Sequence, residues 1–220
     1  MIPKIAELFD LSHTLAAPLL LECEYPWEAL PKIKDFILSL AKTLSEDDYY
    51  KVCDDVWIAK SAKIAPSALI CGPTIIGENT EVRHCAYIRG NALIGDGSVI
   101  GNSTEVKNAI IFDGVQIPHY NYVGDSILGY KSHMGAGAIA SNVRSDKQNI
   151  SVYTQSERIA TGLRKFGTIL GDFVEVGCNS VLCPGSVVGR NSQIYPLTRV
   201  RGVIPENSIC KAPDNIVKKK

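Results

Sequence analysis

The sequence lacks an excess of charge of either sign and any long apolar run. Its 23 Lys and Arg residues are matched by 23 Asp and Glu residues, so the formal net charge at neutral pH is zero. Because proteins that bind nucleic acid or a membrane surface usually carry a basic excess, we expect neither role. No apolar run approaches the roughly 20 residues of a membrane span, and the first residues lack the layout of a secretion signal. We therefore expect a cytoplasmic protein.

The sequence also lacks paired cysteines. Its seven cysteines form no CxxC motif, and an odd number cannot all be joined in disulfides within one chain. Several of them lie beside aliphatic residues, as expected of small reduced thiols packed in a cytosolic protein. The cysteine pattern therefore predicts neither a disulfide framework nor a zinc site.

What the chain does have is an aliphatic residue at nearly every sixth position, typically followed by Gly or another small residue. A period of six matches neither the roughly 3.6 residues of a helical turn nor the alternation of an isolated strand. The positions on this count are Ile58, Ile64, Ile70, Ile76, Val82, Ile88, Ile94, Ile100, Val106, Phe112 and Pro118, then Leu128, Met134 and Ala140, and finally Leu170, Val176, Leu182, Val188, Ile194 and Val200.

Hexapeptide repetition is the signature of a parallel β-helix, in which each repeat is a short strand followed by a turn. Three repeats close one coil, and stacked coils form a three-cornered column whose walls are parallel sheets. Each coil contacts only its neighbours, so the aliphatic side chains form a ladder through the interior. The Gly, Asn and Asp residues between strands tolerate the positive φ that sharp corners require. The sequence therefore predicts an all-β solenoid, a parallel β-helix of hexapeptide repeats.

Residues 1–55 lack the hexapeptide. Apolar residues recur there at helical spacing between Leu30 and Leu44, and Pro26 stands where a helix would begin. Terminal repeats of a solenoid need shielding from solvent. We therefore expect a small helical cap over one end of the column.

Residues 56–205 form the predicted β-helix. An excursion loop at 143–168 interrupts the repeat, and its sequence alternates like a hairpin from Ile150 to Tyr153. A long excursion from a regular coil is commonly a functional loop. Residues 206–220 are expected to be a polar, solvated C-terminal tail.

The segment at 118–125 is the most informative for chemistry. His119 is followed there by Tyr120, Asn121 and Tyr122, which carry hydroxyl and amide groups, near a point where the repeat is interrupted. An imidazole suits a general base because its ordinary pKa is close to neutrality. The alternative is a hydrogen-bonded surface histidine with no part in catalysis.

Several segments together resemble a known family. They are GNSTEVKNA at 101–109, PHYNYVGDSILG at 118–129, SHMGAG at 132–137, Ser141-Asn142 and TGLRKFG at 161–167. In this order they are similar to the acetyltransferase half of the bifunctional glucosamine-1-phosphate acetyltransferase and N-acetylglucosamine-1-phosphate uridyltransferase family, and still more to its archaeal-type sugar-phosphate enzymes. The resemblance spans about residues 56–205. It implies a left-handed β-helix that forms a homotrimer, with its site between adjacent columns.

The resemblance implies roles for individual residues, with His119 as the general base. The implied substrate contacts are Arg89 and Lys107 for the phosphate, and Tyr122, Asn142 and His133 for the sugar. The implied acetyl-CoA contacts are Ala136, Cys178 and Pro196. Guanidinium and ammonium groups suit a phosphate, and a backbone N–H near Ala136 would stabilise the thioester oxyanion. The alternative for both cations is a solvated outer face, and for Tyr122 it is packing.

The chain departs from the family at two places. His133 stands where the bacterial members commonly carry an asparagine, and Val143-Arg144-Ser145 replaces the Tyr-Asp-Gly of those members. These changes lie at the acceptor pocket, so the reaction is better defined than the sugar. No Gly-rich nucleotide-binding opening precedes the β-helix. We therefore expect no nucleotidyltransferase activity.

The leading hypothesis is an acetyl-CoA-dependent N-acetyltransferase of UDP-GlcNAc biosynthesis that acts on glucosamine-1-phosphate or galactosamine-1-phosphate. The alternative is a non-catalytic β-helix subunit that binds a sugar nucleotide or a separate nucleotidyltransferase. A zinc hydratase of the γ-carbonic anhydrase type needs three converging histidines. Because the chain has four histidines and no pair five residues apart, we expect no metal.

Overall fold

The computed structural model describes residues 1–219, and most of the chain is a column of stacked β-coils. Each strand of a coil pairs in parallel with the strand that occupies the same place in the next coil. Ile58 pairs with Ile76, and Ile76 pairs with Ile94, so partners are three hexapeptides apart. The fold class is confirmed: the chain is a left-handed parallel β-helix of hexapeptide repeats.

We number the three walls of the column in the order in which the chain first reaches them. Wall 1 contains Val56–Ala59, Thr74–Ile76, Ala92–Ile94, the second halves of Glu105–Ile111 and Tyr122–Leu128, then Thr168–Leu170, Ser186–Val188 and Val203–Ile204. Wall 2 contains Lys63–Ile64, Glu81–Val82, Val99–Asn102, Gln116–His119, His133–Met134, Glu175–Val176, Gln193–Ile194 and Ser208–Ala212. Wall 3 contains Leu69–Ile70, Tyr87–Ile88, the first halves of Glu105–Ile111 and Tyr122–Leu128, then Ile139–Ala140, Val181–Leu182 and Arg199–Val200.

The corners of the column are tight turns that require the left-handed backbone region. Asn79 has a φ of 54°, Gly97 a φ of 62° and Asn179 a φ of 55°. Gly and Asn enter this region at lower cost than other residues, because Gly has no Cβ and Asn can bond its own backbone. The prediction of Gly, Asn and Asp at the corners therefore holds for many of them, but other residue types such as Cys85, Lys131 and Leu197 also adopt positive φ.

The count of six fails in the coil that follows Ile94. Ile111 pairs with both Ile94 and Leu128, so Ile111 and not Phe112 continues the interior ladder. The strand Glu105–Ile111 passes the corner between walls 3 and 1 without a break. The coil from Ile94 to Ile111 is therefore one residue shorter than three full hexapeptides. Counting onward by six from Val106 therefore moves the next two assignments by one position, and the count is in register again from Leu128.

Two assignments are corrected for this reason. Ile117, which pairs with Ile100, takes the interior position predicted for Pro118. Phe112 is fully buried, but it packs on Phe9 of the N-terminal segment, with 4.9 Å between the ring centroids. Phe112 therefore joins the column to the residues that cover it.

Short helices fill residues 5–43. The α-helices are Ile5–Leu8, Ala17–Leu21 and Ile33–Leu40, and the 3₁₀ helices are Leu11–His13, Pro26–Lys32 and Ala41–Thr43. Over residues 1–219, no helix combines the length and the apolar character needed to cross a bilayer.

This helical segment lies along wall 1, and not over an end of the column as predicted. The helix Ile33–Leu40 contacts the strands Ala92–Ile94 and Glu105–Ile111, and Pro26–Lys32 contacts Tyr122–Leu128. The segment lies there because each coil also carries an aliphatic residue on the outer face of wall 1. Those side chains are removed from water only when another part of the chain covers them. These outer residues are all at most 1% exposed: Ile75, Leu93, Ile110, Ile127, Ile169 and Val187.

Antiparallel hairpins close the two ends of the column. At the first end, Tyr49–Cys53 pairs with Val56–Ala59. At the other end, Asn215–Lys218 pairs with Ser208–Ala212, which itself continues wall 2. The tail is therefore an ordered hairpin: Ser208 and Cys210 are buried at its start, whereas residues 211–218 are mostly exposed, as expected of a solvated tail.

The excursion leaves the column after Ile139–Ala140 and returns at Thr168–Leu170. It contains the expected hairpin, with Ser151–Tyr153 antiparallel to Arg158–Ala160. Phe166 is fully buried and lies 5.9 Å from the ring of Trp27, so the excursion packs against the helical segment.

Candidate active site

The corner between walls 2 and 3 carries His119 and the predicted acetyl-CoA contacts. Backbone hydrogen bonds join successive coils along it, from Gly137 N to His119 O (2.9 Å), from Asn179 N to Ala136 O (2.8 Å) and from Leu197 N to Cys178 O (2.9 Å). His119, Ala136 and Cys178 are therefore successive rungs of one corner, and Pro196, which precedes Leu197, is the next rung. Four of the predicted residues share one edge of the molecule.

Asn121 joins the first two of these rungs. Its side chain is 3% exposed. The Oδ1 atom accepts from the backbone N–H of His119 at 3.0 Å, and Nδ2 donates to the carbonyls of Gly135 (2.8 Å) and Ala138 (3.1 Å). The end of the histidine strand is thus fixed against the turn that carries Ala136. In the sequence, Asn121 stands out only as a neighbour of His119. Its burial in the structure, with all of these hydrogen bonds formed, indicates that it holds the His119 turn in place.

The side chain of His119 is exposed at this corner. Neither ring nitrogen has a hydrogen-bond partner within residues 1–219. Tyr120, which follows, is 66% exposed and adopts a φ of 52°. The imidazole is therefore accessible from outside, and both of its ring nitrogens are available to a ligand.

A second group of predicted residues surrounds Asp125, at the corner between walls 3 and 1. The carboxylate of Asp125 is 5% exposed. It accepts hydrogen bonds from Lys107 Nζ at 3.3 Å, from Asn108 Nδ2 at 2.9 Å and from Asn142 Nδ2 at 2.5 Å. Three side chains, two from the preceding coil and one from the following coil, thus meet on one buried acceptor.

Tyr122 extends this cluster along wall 3. Its hydroxyl oxygen accepts a hydrogen bond from Asn142 Nδ2 at 3.1 Å. Burial, followed by the negative charges of Asp125 and Glu105, raises the pKa of Tyr122. The phenol therefore keeps its proton near neutral pH and remains able to donate it in a hydrogen bond.

Arg89 lies beside the cluster on the same side of the column. Its Nη1 is 2.7 Å from Glu105 Oε1, and Glu105 pairs with Tyr122 across wall 3. The hydrogen bond and the charge of Glu105 raise the pKa of Arg89 further. Both cations predicted to hold a phosphate, Arg89 and Lys107, thus already have a carboxylate partner.

The end of the excursion completes this corner. Phe166 N donates to the carbonyl of Asn142 (3.0 Å), and Gly167 N donates to the carbonyl of Asp125 (2.8 Å). Arg164 and Lys165, which immediately precede, are both exposed. The sequence identified this stretch as a motif without assigning a role to its two cations, and the structure brings them next to the Asp125 cluster.

His133 lies apart from the other predicted substrate contacts. It is in wall 2, and its Nδ1 is 2.8 Å from Glu175 Oε2 on the same wall. Within one chain, His133 therefore takes no part in the cluster of Lys107, Tyr122 and Asn142, and only another copy of the column would bring it there.

A cleft of about 1000 Å³ lies elsewhere, beside the excursion hairpin. It is lined by Glu7, Tyr153, Arg190, Arg201 and Glu206, among others, and by none of the predicted site residues. In the part of the chain from residue 1 to 219, no three His, Cys, Asp or Glu side chains are grouped as a metal would require. The predicted residues form an exposed surface of a single column.

The column defines the protein as a hexapeptide-repeat left-handed β-helix. The chain belongs to the family of the GMPPB C-terminal domain, which matches residues 70–194. The resemblance to archaeal bifunctional sugar-phosphate enzymes drawn from the sequence motifs is confirmed.

Two curated relatives illustrate this. The chain is 35% identical over 150 residues to a bifunctional sugar-1-phosphate nucleotidylyltransferase/acetyltransferase of Sulfurisphaera tokodaii, which covers 68% of the chain and 37% of the relative. It is 32% identical over 199 residues to the bifunctional protein GlmU of Methanococcus maripaludis, with 89% and 48% covered. The chain thus spans less than half the length of either relative.

Among solved structures, the chain is similar to PerB of Caulobacter crescentus in complex with CoA and GDP-perosamine. The identity is 18%, the TM-score is 0.39, and the match covers 74% of the chain and 56% of PerB. This likeness is too distant to bear on what the chain does.

Proposed function

We propose that the chain is an acetyl-CoA-dependent N-acetyltransferase that acts on an amino-sugar 1-phosphate, either glucosamine-1-phosphate or galactosamine-1-phosphate. The observation that carries the proposal is the line of His119, Ala136, Cys178 and Pro196 on one corner, with the Asp125 cluster on the other side of wall 3. An acyl donor extended along the first corner would bring its thioester between Ala136 and His119. The relatives that carry an acetyltransferase in their names support the same reaction class.

The reaction follows from the groups at that corner. His119 takes a proton from the amine of the sugar, and the amine nitrogen attacks the thioester carbonyl carbon. The carbon–sulfur bond then breaks, and CoA leaves as the thiol once its sulfur has received a proton. A backbone N–H near Ala136 stabilises the oxyanion formed on the way.

The polar side chains beyond wall 3 suit the rest of the substrate. Arg89 and Lys107 provide cations for the phosphate, and Tyr122 and Asn142 provide hydrogen-bonding groups for the sugar. This places the phosphate at the corner between walls 3 and 1 and the amine toward His119.

The site requires more than one copy of the column, and we propose a homotrimer. The outer face of wall 3 carries a line of exposed apolar side chains, namely Leu69 (57%), Tyr87 (37%), Ile139 (39%) and Val181 (39%). Tyr122 stands in the same line, between Glu105 and Ile139. A contact through this face would remove apolar area from water and enclose the sugar cluster at a seam.

The seven cysteines support a cytoplasmic location as part of the proposal. All seven are free thiols. Cys53, Cys85 and Cys178 are exposed, which favours a reducing compartment because exposed thiols are oxidised readily elsewhere.

The test is release of thiol from acetyl-CoA in the presence of glucosamine-1-phosphate or galactosamine-1-phosphate. We expect His119→Ala to lower kcat by about 10²- to 10⁴-fold, the usual contribution of a general base. His84→Ala is the matched control, since His84 is exposed two rungs away on the same corner. We expect that variant to keep wild-type activity.

Two results would contradict the proposal. If the wild type releases no thiol with either sugar phosphate, the acceptor is wrong. If His119→Ala remains as active as His84→Ala, the general base is wrong.

The second candidate is a non-catalytic β-helix subunit that binds a sugar nucleotide or a separate nucleotidyltransferase. The observation that favours it is that the matched family is defined by a C-terminal domain and that the relatives named above are bifunctional. Copurification with a nucleotidyltransferase, together with complex activity that His119→Ala leaves unchanged, would support this candidate.

A further inference from the structure

Asp125 is a buried carboxylate to which neither the sequence motifs nor the proposed reaction assigns a role. A carboxylate only accepts hydrogen bonds. The side-chain amide of Asn142 must therefore turn its nitrogen toward Asp125 Oδ2, which lies 2.5 Å away. The second hydrogen of the same nitrogen is directed at the Tyr122 oxygen, 3.1 Å away. Both amide hydrogens of Asn142 are thus used inside the cluster.

We infer that Asp125 is a positioning residue, which fixes Asn142 and Tyr122 so that the ligand meets one acceptor and one donor of set direction. The acceptor is Asn142 Oδ1, which has no hydrogen-bond partner in the described part of the chain. The donor is the hydroxyl of Tyr122, whose oxygen is already engaged as an acceptor. The assignment of a ligand rests on the proposed function, whereas the orientation is a property of the chain alone.

The backbone at Asp125 is suited to this task. The strand Tyr122–Leu128 passes the corner without a break, and Asp125 stands at the bend with a φ of 50°. Asp and Asn tolerate this region better than other residues with a Cβ. The side chain is thereby directed between Asn108 on one side and Asn142 on the other. Replacement by Asn would keep both the shape and the backbone conformation while changing the hydrogen-bonding character.

The carboxylate of Asp125 also holds the ammonium group of Lys107 in place. Its ammonium group lies 3.3 and 3.4 Å from the two oxygens of Asp125, while its side chain is 23% exposed. An ammonium group carries three hydrogens, so at least one remains for a ligand. Asp125 therefore arranges a cation, a donor and an acceptor on one side of the column.

This set of groups fits the sugar and phosphate parts of the proposed substrate. Asn142 Oδ1 can accept from a hydroxyl group of the sugar, Tyr122 can donate to a ring or hydroxyl oxygen, and Lys107 can contact the phosphate. An Asn142 amide turned the other way would present a second donor beside Tyr122 and no acceptor for that hydroxyl group.

The experiment compares Asp125→Asn with the matched control Asp113→Asn. Asp113 is a half-buried carboxylate at another corner, where its Oδ1 accepts from the backbone N–H of Asp96 at 2.8 Å. We expect Asp125→Asn to raise KM for the amino-sugar phosphate by about 10- to 100-fold, the equivalent of one hydrogen bond to a charged group. KM for acetyl-CoA should stay unchanged in both variants, and Asp113→Asn should keep both constants.

A double-mutant cycle separates positioning from general support. If Asp125 acts through Asn142 and Tyr122, then Tyr122→Phe should cost much less in the Asp125→Asn background than in the wild type. Additive effects of the two substitutions, or an equal rise in KM for both substrates, would overturn the inference.

A direct measurement keeps the inference testable even without activity. The two side-chain amide protons of Asn142 should be well separated and slowly exchanging by NMR in the wild type, and should lose both properties in Asp125→Asn. Unchanged amide resonances in that variant would overturn the inference. If the wild type releases no thiol, the proposed function is wrong. The NMR measurement then still tests whether Asp125 orients Asn142.

Discussion

At the scale of the residue, the two cations proposed for phosphate binding differ in how firmly a carboxylate holds them. Lys107 faces Asp125, which is buried, whereas the Arg89–Glu105 pair is partly exposed, with side chains 43% and 33% accessible. Exposed ion pairs contribute little to stability, typically about 0–1 kcal/mol. Under the proposed function, the phosphate would therefore displace Glu105 from Arg89 at small cost, and Glu105 would compete with it.

Glu105→Gln should consequently tighten phosphate binding. We expect KM for the sugar phosphate to fall by about two- to fivefold, because Arg89 loses a charged competitor that holds it only weakly at such exposure. Steady-state kinetics with varied sugar phosphate measure the change. Glu81→Gln is the matched control, since the Arg83–Glu81 pair on wall 2 is similarly exposed, at 42% and 38%. A higher KM for Glu105→Gln would indicate that Glu105 contacts the sugar itself.

The residues of the site differ in how far the sequence predicted them. The resemblance implies separate roles for His119, Ala136 and Cys178, and only the stacking of coils shows that the three share one corner. Asp125 was not singled out, because its role depends on Asn142, which meets it only after the chain has completed a further coil. His133 was grouped with the sugar contacts, although the register of wall 2 directs it toward Glu175.

At the scale of the element, the covering of wall 1 had a signal in the sequence that counting by six overlooked. Two adjacent aliphatic residues recur once per coil, as in Ile75-Ile76, Leu93-Ile94 and Ile127-Leu128. In a strand, neighbouring side chains point to opposite faces. Such doublets therefore indicate a wall that is apolar inside and outside. The amphipathic helix Ile33–Leu40 was recognised, but its apolar stripe alone does not reveal which surface it covers.

The excursion and the helical segment meet through Phe166, and this contact supports the site. We expect Phe166→Ala to lower the free energy of unfolding by about 3–5 kcal/mol, as is usual for a buried aromatic residue. Because Phe166 N bonds to Asn142 O, the same variant should raise KM for the sugar phosphate. Urea unfolding and kinetics measure the two effects.

The matched control for this variant is Phe173→Ala, since Phe173 is 41% exposed. That variant should change the free energy of unfolding by less than about 1 kcal/mol. If Phe166→Ala lowers the free energy of unfolding no more than Phe173→Ala does, the contact of Phe166 with Trp27 does not stabilise the fold.

At the scale of the whole molecule, the three walls have different neighbours. Wall 1 is covered by the helical segment, and both ends of the column are closed by hairpins. Wall 3 keeps its line of exposed apolar side chains, which makes it the face most suited to contact other copies. Closed cyclic association buries such a face once in every copy.

We expect light scattering after gel filtration to give about three times the chain mass of 23.9 kDa. Val181→Glu should lower this mass to that of one chain, because a charge within the apolar face of wall 3 would be buried without a partner. Leu21→Glu is the matched control, as Leu21 is 73% exposed on the helical segment. A trimer that persists in Val181→Glu, or one that Leu21→Glu disrupts, would assign the contact to another face.

The excursion departs and returns without any gap in the ladder, since Leu128 pairs directly with Leu170. The strand pairing and the interior stacking of the column therefore continue directly from the coil before the excursion to the coil after it. Substitutions, insertions and deletions at the exposed positions of that stretch can therefore accumulate over generations while the scaffold keeps its stability, whereas its buried residues Ile150, Val152 and Phe166 must be kept. Exchanging the exposed part of the excursion between related chains would therefore test new acceptor substrates on an unchanged β-helix.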